Sequence, residues 1–121
     1  MAIFVNCSNH PSNRWSETQT KAAEEYGKII DVPFPVVECN LSSEQLEKLA
    51  DKMVDVILSY NPKAVMCMGE FVVCYRITRK LKEKGIRVLA SSSERKVREQ
   101  VDTDGTVKKK SIFVFRGFRE Y

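Results

Sequence analysis

The feature that most constrains the fold is an almost wholly apolar run, Ala64 to Met68 (AVMCM), between two helix-like segments. Such a run, without polar alternation, is typical of a parallel strand that is covered on both faces. Apolar residues recur at three- and four-residue spacing from Leu46 to Tyr60 before it and from Phe71 to Leu81 after it. The order helix, buried strand, helix predicts an α/β protein.

Three further strands fit this pattern, and their positions suggest the order of the sheet. Pro33 and Pro35 would each remove a ladder donor, which places the second strand on an edge. Because crossover connections are right-handed, we expect the order 2-1-3-4. The three predicted strands are Ile3 to Val5, Lys28 to Phe34 and Ile86 to Ala90.

Two capping boxes mark the starts of the first two helices. Ser16 is followed at the third position by Gln19, and Ser42 by Gln45. In this pattern the serine accepts from a backbone N–H while the glutamine side chain reaches back. We therefore expect helices after Ser16 and after Ser42.

The C-terminal part of the sequence does not continue the alternation of helices and strands. Asp104-Gly105 is a strong hairpin signal between Val97–Thr103 and Thr106–Phe118. The continuous apolar run Ile112 to Phe115 suggests burial on both faces of the sheet. The polar segment Ser91 to Arg95 is expected to be a loop or a helix start. Residues 1–121 are therefore predicted to form one Rossmann-like three-layer α/β sandwich, with a mainly parallel sheet and a C-terminal hairpin.

Charge is distributed unevenly along the chain. Residues 1–60 hold five basic and nine acidic side chains, whereas residues 61–121 hold fifteen and seven, so the halves carry −4 and +8. The total of +4 is too small to argue for a long nucleic acid. No apolar run approaches the roughly 20 residues of a membrane span, and the first residues lack the basic start of a signal peptide. We expect a cytoplasmic protein that binds neither a membrane nor a long nucleic acid.

The four cysteines contain no C-x-x-C pair, and His10 is the only histidine. Structural zinc sites usually use two closely spaced ligand pairs, so we expect no metal site and no cofactor. Cys7, Cys67 and Cys74 lie in apolar segments, where cysteine acts as a small hydrophobe. They are predicted to be buried free thiols.

Ligands of open parallel sheets bind beyond the carboxyl ends of the strands, where the strand order reverses. In the order 2-1-3-4 this point lies between strands 1 and 3. Three polar segments converge there: Asn6 to Trp15, Met68 to Phe71, and Ser91 to Arg95. They define the candidate site.

The first segment is long for its position and rich in hydrogen-bonding groups. Asn6 and Asn9 suit contacts to a ribose or phosphate, whereas His10 is equally compatible with acid–base chemistry and with an ordinary turn. Trp15 could stack on a base, but a hydrophobic staple at the start of the first helix is the favoured interpretation.

The other two segments carry weaker signals. Gly69 would allow close approach of an anion to a helix N-terminus, and Glu70 would stabilise that helix start by its charge. The serines from Ser91 to Ser93 would offer hydroxyls to a phosphate, with Arg95 as the charged partner. Each signal is also explained by helix capping alone.

Several of these segments together resemble a family of small stand-alone CRISPR-associated proteins found with type III systems and related to the CRISPR-associated Rossmann fold domains. The resemblance covers nearly the whole chain in short motifs, and Asn9 and the Pro11–Arg14 segment depart from the family's opening motif. The motifs are Ser8-Asn9-His10 with Gln19, Met68-Gly69-Glu70-Phe71 with Tyr75, Gly85-Ile86, Ser91 to Arg95, Asp104 to Lys108, and Phe115 to Tyr121.

The resemblance implies a homodimer that binds a cyclic oligoadenylate, with cyclic tetra-adenylate as the expected ring. Ring nucleases of this group cleave the messenger without a metal by attack of a ribose 2′-hydroxyl, which switches off antiviral signalling. Chemistry then suggests a role for each candidate residue. His10 would protonate the leaving oxygen, Ser92 or Arg95 would hold the phosphate, and Asn6, Ser8 and Asn9 would orient the ribose. The remaining ligand-binding candidates are Arg14, Trp15, Met68, Gly69, Glu70, Phe71, Ser91 and Ser93.

Two alternatives remain open. A non-catalytic protein would use the same crevice to sequester or sense the messenger. A small nucleoside- or nucleotide-processing enzyme would use Glu70 as a carboxylate nucleophile.

Overall fold

The computed structural model describes residues 1–121 and contains three helices and five strands, so the predicted mixed α/β class is confirmed. A single 3-10 turn, Ser12–Arg14, lies in the loop after the first strand. In chain order the elements are β1 (Ile3–Cys7), α1 (Glu17–Glu24), β2 (Lys28–Asp31), α2 (Ser43–Ser59), β3 (Ala64–Cys67), α3 (Phe71–Glu83), β4 (Arg87–Val101) and β5 (Val107–Glu120).

The five strands form one sheet in the order β2-β1-β3-β4-β5. The pairs β1–β2, β1–β3 and β3–β4 are parallel, and β4–β5 is antiparallel. The prediction that β2 lies on an edge is confirmed, and its ladder ends at Asp31, before Pro33. The sheet extends one strand beyond the expected order, because β5 pairs with β4 from Leu89 to Val101 instead of forming a separate hairpin.

The segment Ser91 to Arg95 is neither a loop nor a helix start, so this prediction was wrong. It lies inside β4, a strand of 15 residues, with a bulge between Ser92 and Ser93. Serine side chains suit a helix cap, but here the antiparallel ladder with β5 satisfies the backbone instead. Pairing with residues 113–118 of β5, which are distant in sequence, decided the conformation.

Side chains alternate between the two faces of the sheet and build two apolar clusters. Val5, Val65 and Val88 face α2 and α3 in the larger cluster. On the other face Phe4 packs with Ala23 of α1, and Phe118 of β5 curls over the same cluster, with ring centroids 5.4 Å from Phe4. All residues of β3 are buried, as the apolar run predicts.

Both predicted helix starts are confirmed, but only one has a complete capping box. At α2 the Gln45 N–H donates to Ser42 Oγ over 3.1 Å, and Gln45 Oε1 accepts from the Ser42 N–H over 2.8 Å. At α1 the Gln19 N–H donates to Ser16 Oγ, but the Gln19 side chain turns away from the cap. Its Nε2 lies 3.8 Å from Met66 Sδ, at the floor of the cavity described below.

The predicted turn at Asp104-Gly105 is confirmed, and it joins the two strands of a long ribbon. The hairpin arm is defined here as residues 93–101 and 107–115. The prediction that Ile112 to Phe115 is buried on both faces was wrong, because Phe113 is 70% exposed. Only Phe115, at the base of the arm, packs into the body, where its ring lies 5.1 Å from that of Phe118.

The thiols fall into two classes. Cys7, Cys67 and Cys74 are buried as predicted, whereas Cys39 is exposed. Hydrogen bonding to Cys7, with burial, raises the pKa of Cys67 to about 12, and hydrogen bonding to Cys67 and burial raise the pKa of Cys74 further. Because the thiolate is the reactive form, these two groups are inert near neutral pH.

We therefore expect a disulfide reagent at pH 8 to modify one thiol rapidly in the native protein and all four after unfolding in guanidinium. The rapid phase belongs to Cys39 and disappears in Cys39→Ser, which is the matched control. Rapid modification of two or more thiols in the native state would contradict the buried cluster.

None of the three helices is long and apolar enough to cross a membrane.

Candidate functional site

A cavity of about 530 Å³ lies beyond the carboxyl ends of β1 and β3 and against the base of the hairpin arm. Of the three predicted convergent segments, the loop after β1 and two serines of β4 line the cavity, whereas the segment before α3 contributes only Met68. Seven of the predicted site residues line it: Asn9, His10, Arg14, Trp15, Met68, Ser91 and Ser93.

The loop that carries His10 is held from below by a buried asparagine. Asn6 is 1% exposed, and its Nδ2 donates to the His10 carbonyl over 2.9 Å and to Asp31 Oδ1 over 3.0 Å. Its Oδ1 accepts from Ser8 Oγ over 2.7 Å. All of these bonds are internal, so Asn6 and Ser8 position the loop and do not line the cavity.

The same network extends to both ends of the loop. Trp15 Nε1 donates to the His10 carbonyl over 3.0 Å, and the His10 N–H donates to Ser8 Oγ over 3.1 Å. Asp31 Oδ2 accepts from the backbone and the hydroxyl of Ser12. The His10 backbone is thus fixed, while the residue itself is exposed at the cavity.

Trp15 combines the two roles that the sequence left open. Its ring meets Phe4 edge to face, with centroids 6.4 Å apart and planes at 82°, so part of the indole belongs to the core. The residue is only half-buried and also lines the cavity. In a hydrophobic staple Trp15 would pack on the residue at position 20, which is the polar Thr20. Trp15 is therefore anchored by Phe4 and not by a staple.

The start of α3 serves packing and capping. A Cβ on Gly69 would lie 2.6 Å from the ring of Phe34, which is buried there. Both carboxylate oxygens of Glu70 accept from backbone N–H groups, those of Val72 and Val73, at 2.9 Å. Phe71 is 89% exposed and lies outside the cavity. The structure therefore does not bring these three predicted site residues to the cavity.

Ser92 and Arg95 also lie outside the cavity lining. Ser92 stands between two serines that line the cavity, and neighbouring side chains of a strand point to opposite faces. Arg95 lies on the hairpin arm, where Nε and Nη2 donate to Ser111 Oγ over 3.2 and 2.9 Å. The cation that lines the cavity is Arg14 instead.

Several lining residues were not predicted from the sequence. Phe113 and Phe115 reach the cavity only because the ladder places β5 opposite Ser93, a register that no local pattern reveals. Asp31 supports the loop from outside the cavity lining, as the last residue of β2 and the partner of Asn6 in the register with β1. The other unpredicted lining residues are Pro11, Ser16, Gln19 and Met66.

Much of the positive charge of the C-terminal half is neutralised within the molecule. Lys80 of α3 lies between Glu47 and Asp51 of α2, 2.8 Å from Asp51 Oδ1, and Arg76 also contacts Glu47. Hydrogen bonds from Lys80 and Arg76 lower the pKa of Glu47. These cations stabilise the packing of α2 on α3, on the face of the sheet opposite α1, and do not serve the cavity.

Comparison with known proteins identifies the family of this chain but no activity. No curated protein matches the chain. The family model described as "Uncharacterized protein MJ1673 family" matches residues 2–119, nearly the whole sequence. The chain therefore belongs to the uncharacterized MJ1673 family.

Proposed function

We propose that the cavity binds a cyclic oligoadenylate, with cyclic tetra-adenylate as the ring, and opens it without a metal. The observation that carries the proposal is the meeting of an indole, an imidazole, a guanidinium and two hydroxyls around one cavity at the carboxyl ends of parallel strands. These groups belong to Trp15, His10, Arg14, Ser91 and Ser93. Together they match the base, the leaving oxygen and the phosphate of a ribonucleotide.

Each group has a defined task in this proposal. Trp15 stacks on an adenine, because every base presents a π-face to an aromatic ring. Arg14 pairs with a phosphate, and the serine hydroxyls donate to its oxygens or to the ribose. The cavity lies within the range of small-molecule sites, about 300–1,000 Å³. A ring of four nucleotides is larger than this cavity, so one chain holds part of the ring.

The proposed reaction is an internal transfer at phosphorus. A ribose 2′-oxygen bonds to the adjacent phosphorus as the bond from phosphorus to the 5′-oxygen breaks, giving a linear product with a 2′,3′-cyclic phosphate. The 2′-hydroxyl proton leaves to solvent, and protonated His10 supplies a proton to the 5′-oxygen. Asn6 and Ser8 act by positioning the His10 backbone. Arg14 replaces Arg95 as the phosphate partner.

In a cell, ring opening of this kind would switch off type III CRISPR signalling, in line with the resemblance noted above. A non-catalytic binder of the same messenger is the second candidate. His10 is the only imidazole that lines the cavity, and no carboxylate lines it, so the lining offers one acid but no second group to act as a base. The alternative with Glu70 as a nucleophile has no support, since both of its carboxylate oxygens cap α3.

We also infer that the fold is Rossmann-like. The support is the parallel core β2-β1-β3-β4, with α1 packed on one face and α2 and α3 on the other. In this arrangement β1 lies at the reversal of strand order, where ligands of such sheets bind. The antiparallel β5 is an addition at the edge.

The test is incubation of the protein with cyclic tetra-adenylate in excess EDTA. We expect linear adenylates that end in 2′,3′-cyclic phosphate, and a rate about 10²–10⁴-fold lower for His10→Ala, the usual effect of removing a general acid. Trp15→Ala should weaken binding. Asn13→Ala, a change of an exposed residue in the same loop, is the matched control.

The outcomes separate the candidates. Binding without turnover would establish the sequestering protein and reject the nuclease. Full cleavage by His10→Ala would remove the imidazole from the mechanism. Failure to bind cyclic oligoadenylates of any ring size would reject the messenger altogether.

A further inference from the structure

The hairpin arm stands away from the body with little to hold it. Nine residue pairs, from Ser93–Phe115 to Val101–Val107, form a two-stranded ribbon about 30 Å long. Beyond the two pairs at its base, all residues of the two strands are exposed except Ile112, which is half-buried. An isolated two-stranded ribbon is marginally stable in water, so an arm of this length needs a covering surface.

The two faces of the arm differ sharply in chemistry. Residues that share a face follow from the register, since partners lie side by side and alternate residues share a side. One face carries four cations and continues away from the cavity: Lys96, Arg98, Lys108 and Lys110. The opposite face carries the exposed apolar side chains, 53–70% accessible: Val97, Val101, Val107 and Phe113.

The apolar face of the arm is continuous with the cavity. Ser93 and Phe115, its innermost pair, line the cavity, as does Phe113. Whatever covers this face therefore also closes one wall of the site.

The same face is complementary to itself. Val97 pairs with Ser111 at the middle of the ribbon, and Arg95 and Glu99 lie two residues to either side of Val97. Consider a two-fold axis that lies between the two facing ribbons, parallel to the line from Val97 to Ser111. This axis places Arg95 of one copy over the partner's Glu99, and the reverse. The same rotation places the partner's Val101 on Ser93, at the rim of the cavity.

We propose that the apolar face of the hairpin arm packs against the same face of a second copy, about a two-fold axis at Val97–Ser111, so that the tip of each arm closes the partner's cavity. An isologous contact of this kind uses one patch twice. Phe115 receives the partner's Val107 by the same symmetry. The basic face stays exposed in the dimer.

A second copy fits this face better than a polyanion does. Its charges are mixed, with Arg95 and Lys109 set against Glu99, whereas a polyanion would favour the opposite face, where four cations outnumber the single carboxylate of Glu94. Two ribbons, each about 30 Å by 10 Å, bury a flat footprint of about 600 Å² in total. This is below the roughly 1,200–2,000 Å² of a stable specific interface, so we expect a weak, transient dimer that is populated only at high protein concentration.

Sedimentation velocity from about 1 to 500 μM, without ligand, tests the pairing by charge reversal. Arg95→Glu and Glu99→Arg should each weaken the dimer about tenfold, because each places two like-charge contacts in the interface. The double variant Arg95→Glu/Glu99→Arg should regain most of the lost affinity. Lys96→Glu, a reversal on the opposite face, is the matched control and should leave the affinity unchanged.

A cross-link tests the axis itself. In a Cys39→Ser background, Val97→Cys should oxidise to a covalent dimer, because the two copies of residue 97 face each other at the axis. Lys96→Cys should stay monomeric under the same conditions. This readout needs no tight dimer, since oxidation captures a transient one.

A monomer at every concentration together with no cross-link at residue 97 would overturn the proposal. The proposal would also be overturned if charge reversals on the two faces weakened the dimer equally. The same holds if the double variant did not regain the affinity that the single reversals lose. The inference does not depend on the identity of the ligand: a dimer without binding of cyclic adenylates would reject the proposed function alone, and binding by a monomer would reject the arm pairing alone.

Discussion

Asn6→Asp is expected to lower the free energy of unfolding by about 3–5 kcal/mol, the usual cost of leaving a buried charge uncompensated. The substitution changes almost no volume, but it replaces the donor Nδ2 by an oxygen. That oxygen would face Asp31 Oδ1 at about 3.0 Å and the His10 carbonyl at about 2.9 Å, both acceptors. Two hydrogen bonds become two repulsions in a site that water does not reach.

The loss should depend on pH in a defined direction. Burial and the neighbouring Asp31 carboxylate disfavour ionisation of the introduced group, so its pKa is higher in the folded than in the unfolded state. The protein is therefore least affected below the unfolded pKa of about 3.9, and the deficit grows as pH rises from there through the folded pKa. Urea unfolding of both proteins from pH 4 to 8 measures this difference.

Asn9→Asp is the matched control, because Asn9 is exposed and lies three residues away in the same loop. It should change the free energy of unfolding by less than about 0.5 kcal/mol. A stable Asn6→Asp protein with wild-type unfolding at pH 7 would show that Asn6 does not hold the loop as described. A folded Asn6→Asp protein with a mobile loop would instead lose ligand binding, which separates the two effects.

Phe34→Ala is the second large change, with an expected loss of about 3–5 kcal/mol. Phe34 belongs to the larger core cluster although it lies in an irregular segment after β2, and its ring occupies the space above Gly69. Removing the ring leaves a cavity between that segment and the start of α3. Gly69→Ala should cost about 1–3 kcal/mol, because its new methyl group would press on the ring at 2.6 Å.

The two sites are coupled, which gives a sharper test than either change alone. Gly69→Ala in a Phe34→Leu background should cost less than it does in the wild type, since the smaller side chain leaves room for the methyl group. Binding of cyclic tetra-adenylate should return with stability in that double variant. If stability returns and binding does not, Gly69 contacts the ligand and its assignment to packing is wrong. Gly85→Ala is unsuitable as a control because its φ of +78° adds backbone strain.

The predictions that succeeded rest on local patterns. The apolar run of β3, the capping box at Ser42 and the turn at Asp104-Gly105 each concern neighbouring residues whose preferences agree with the fold. The serines of β4 show the limit. Their local preference for a cap or loop is weaker than the ladder that β5 provides, so a long-range pairing overrode it.

The candidate site likewise has features that the sequence predicted and features that only the structure revealed. The convergence of the loop after β1 with Met68 and the serines of β4 follows from strand order, which the chain pattern predicts. Whether an individual side chain faces the cavity or the interior depends on its hydrogen-bond partners. Asn6, in β1, and Glu70, at the start of α3, are both polar residues that follow or end apolar runs, and both are occupied by internal hydrogen bonds.

By itself, the sequence determined the alternation of helices and buried strands and the edge position of β2, because hydrophobic periodicity and proline geometry act over a few residues. It also predicted the convergence of polar segments at the carboxyl ends of β1 and β3, where the cavity lies. Only the tertiary structure decided that Arg14, not Arg95, lines the cavity and that Phe113 is left exposed on one face of a long arm. The position of Phe113 depends on the register of β4 with β5, which fixes the face of every side chain along the ribbon. Arg95 shares that face, but its guanidinium donates to Ser111 on the arm, whereas the loop after β1 brings Arg14 to the cavity.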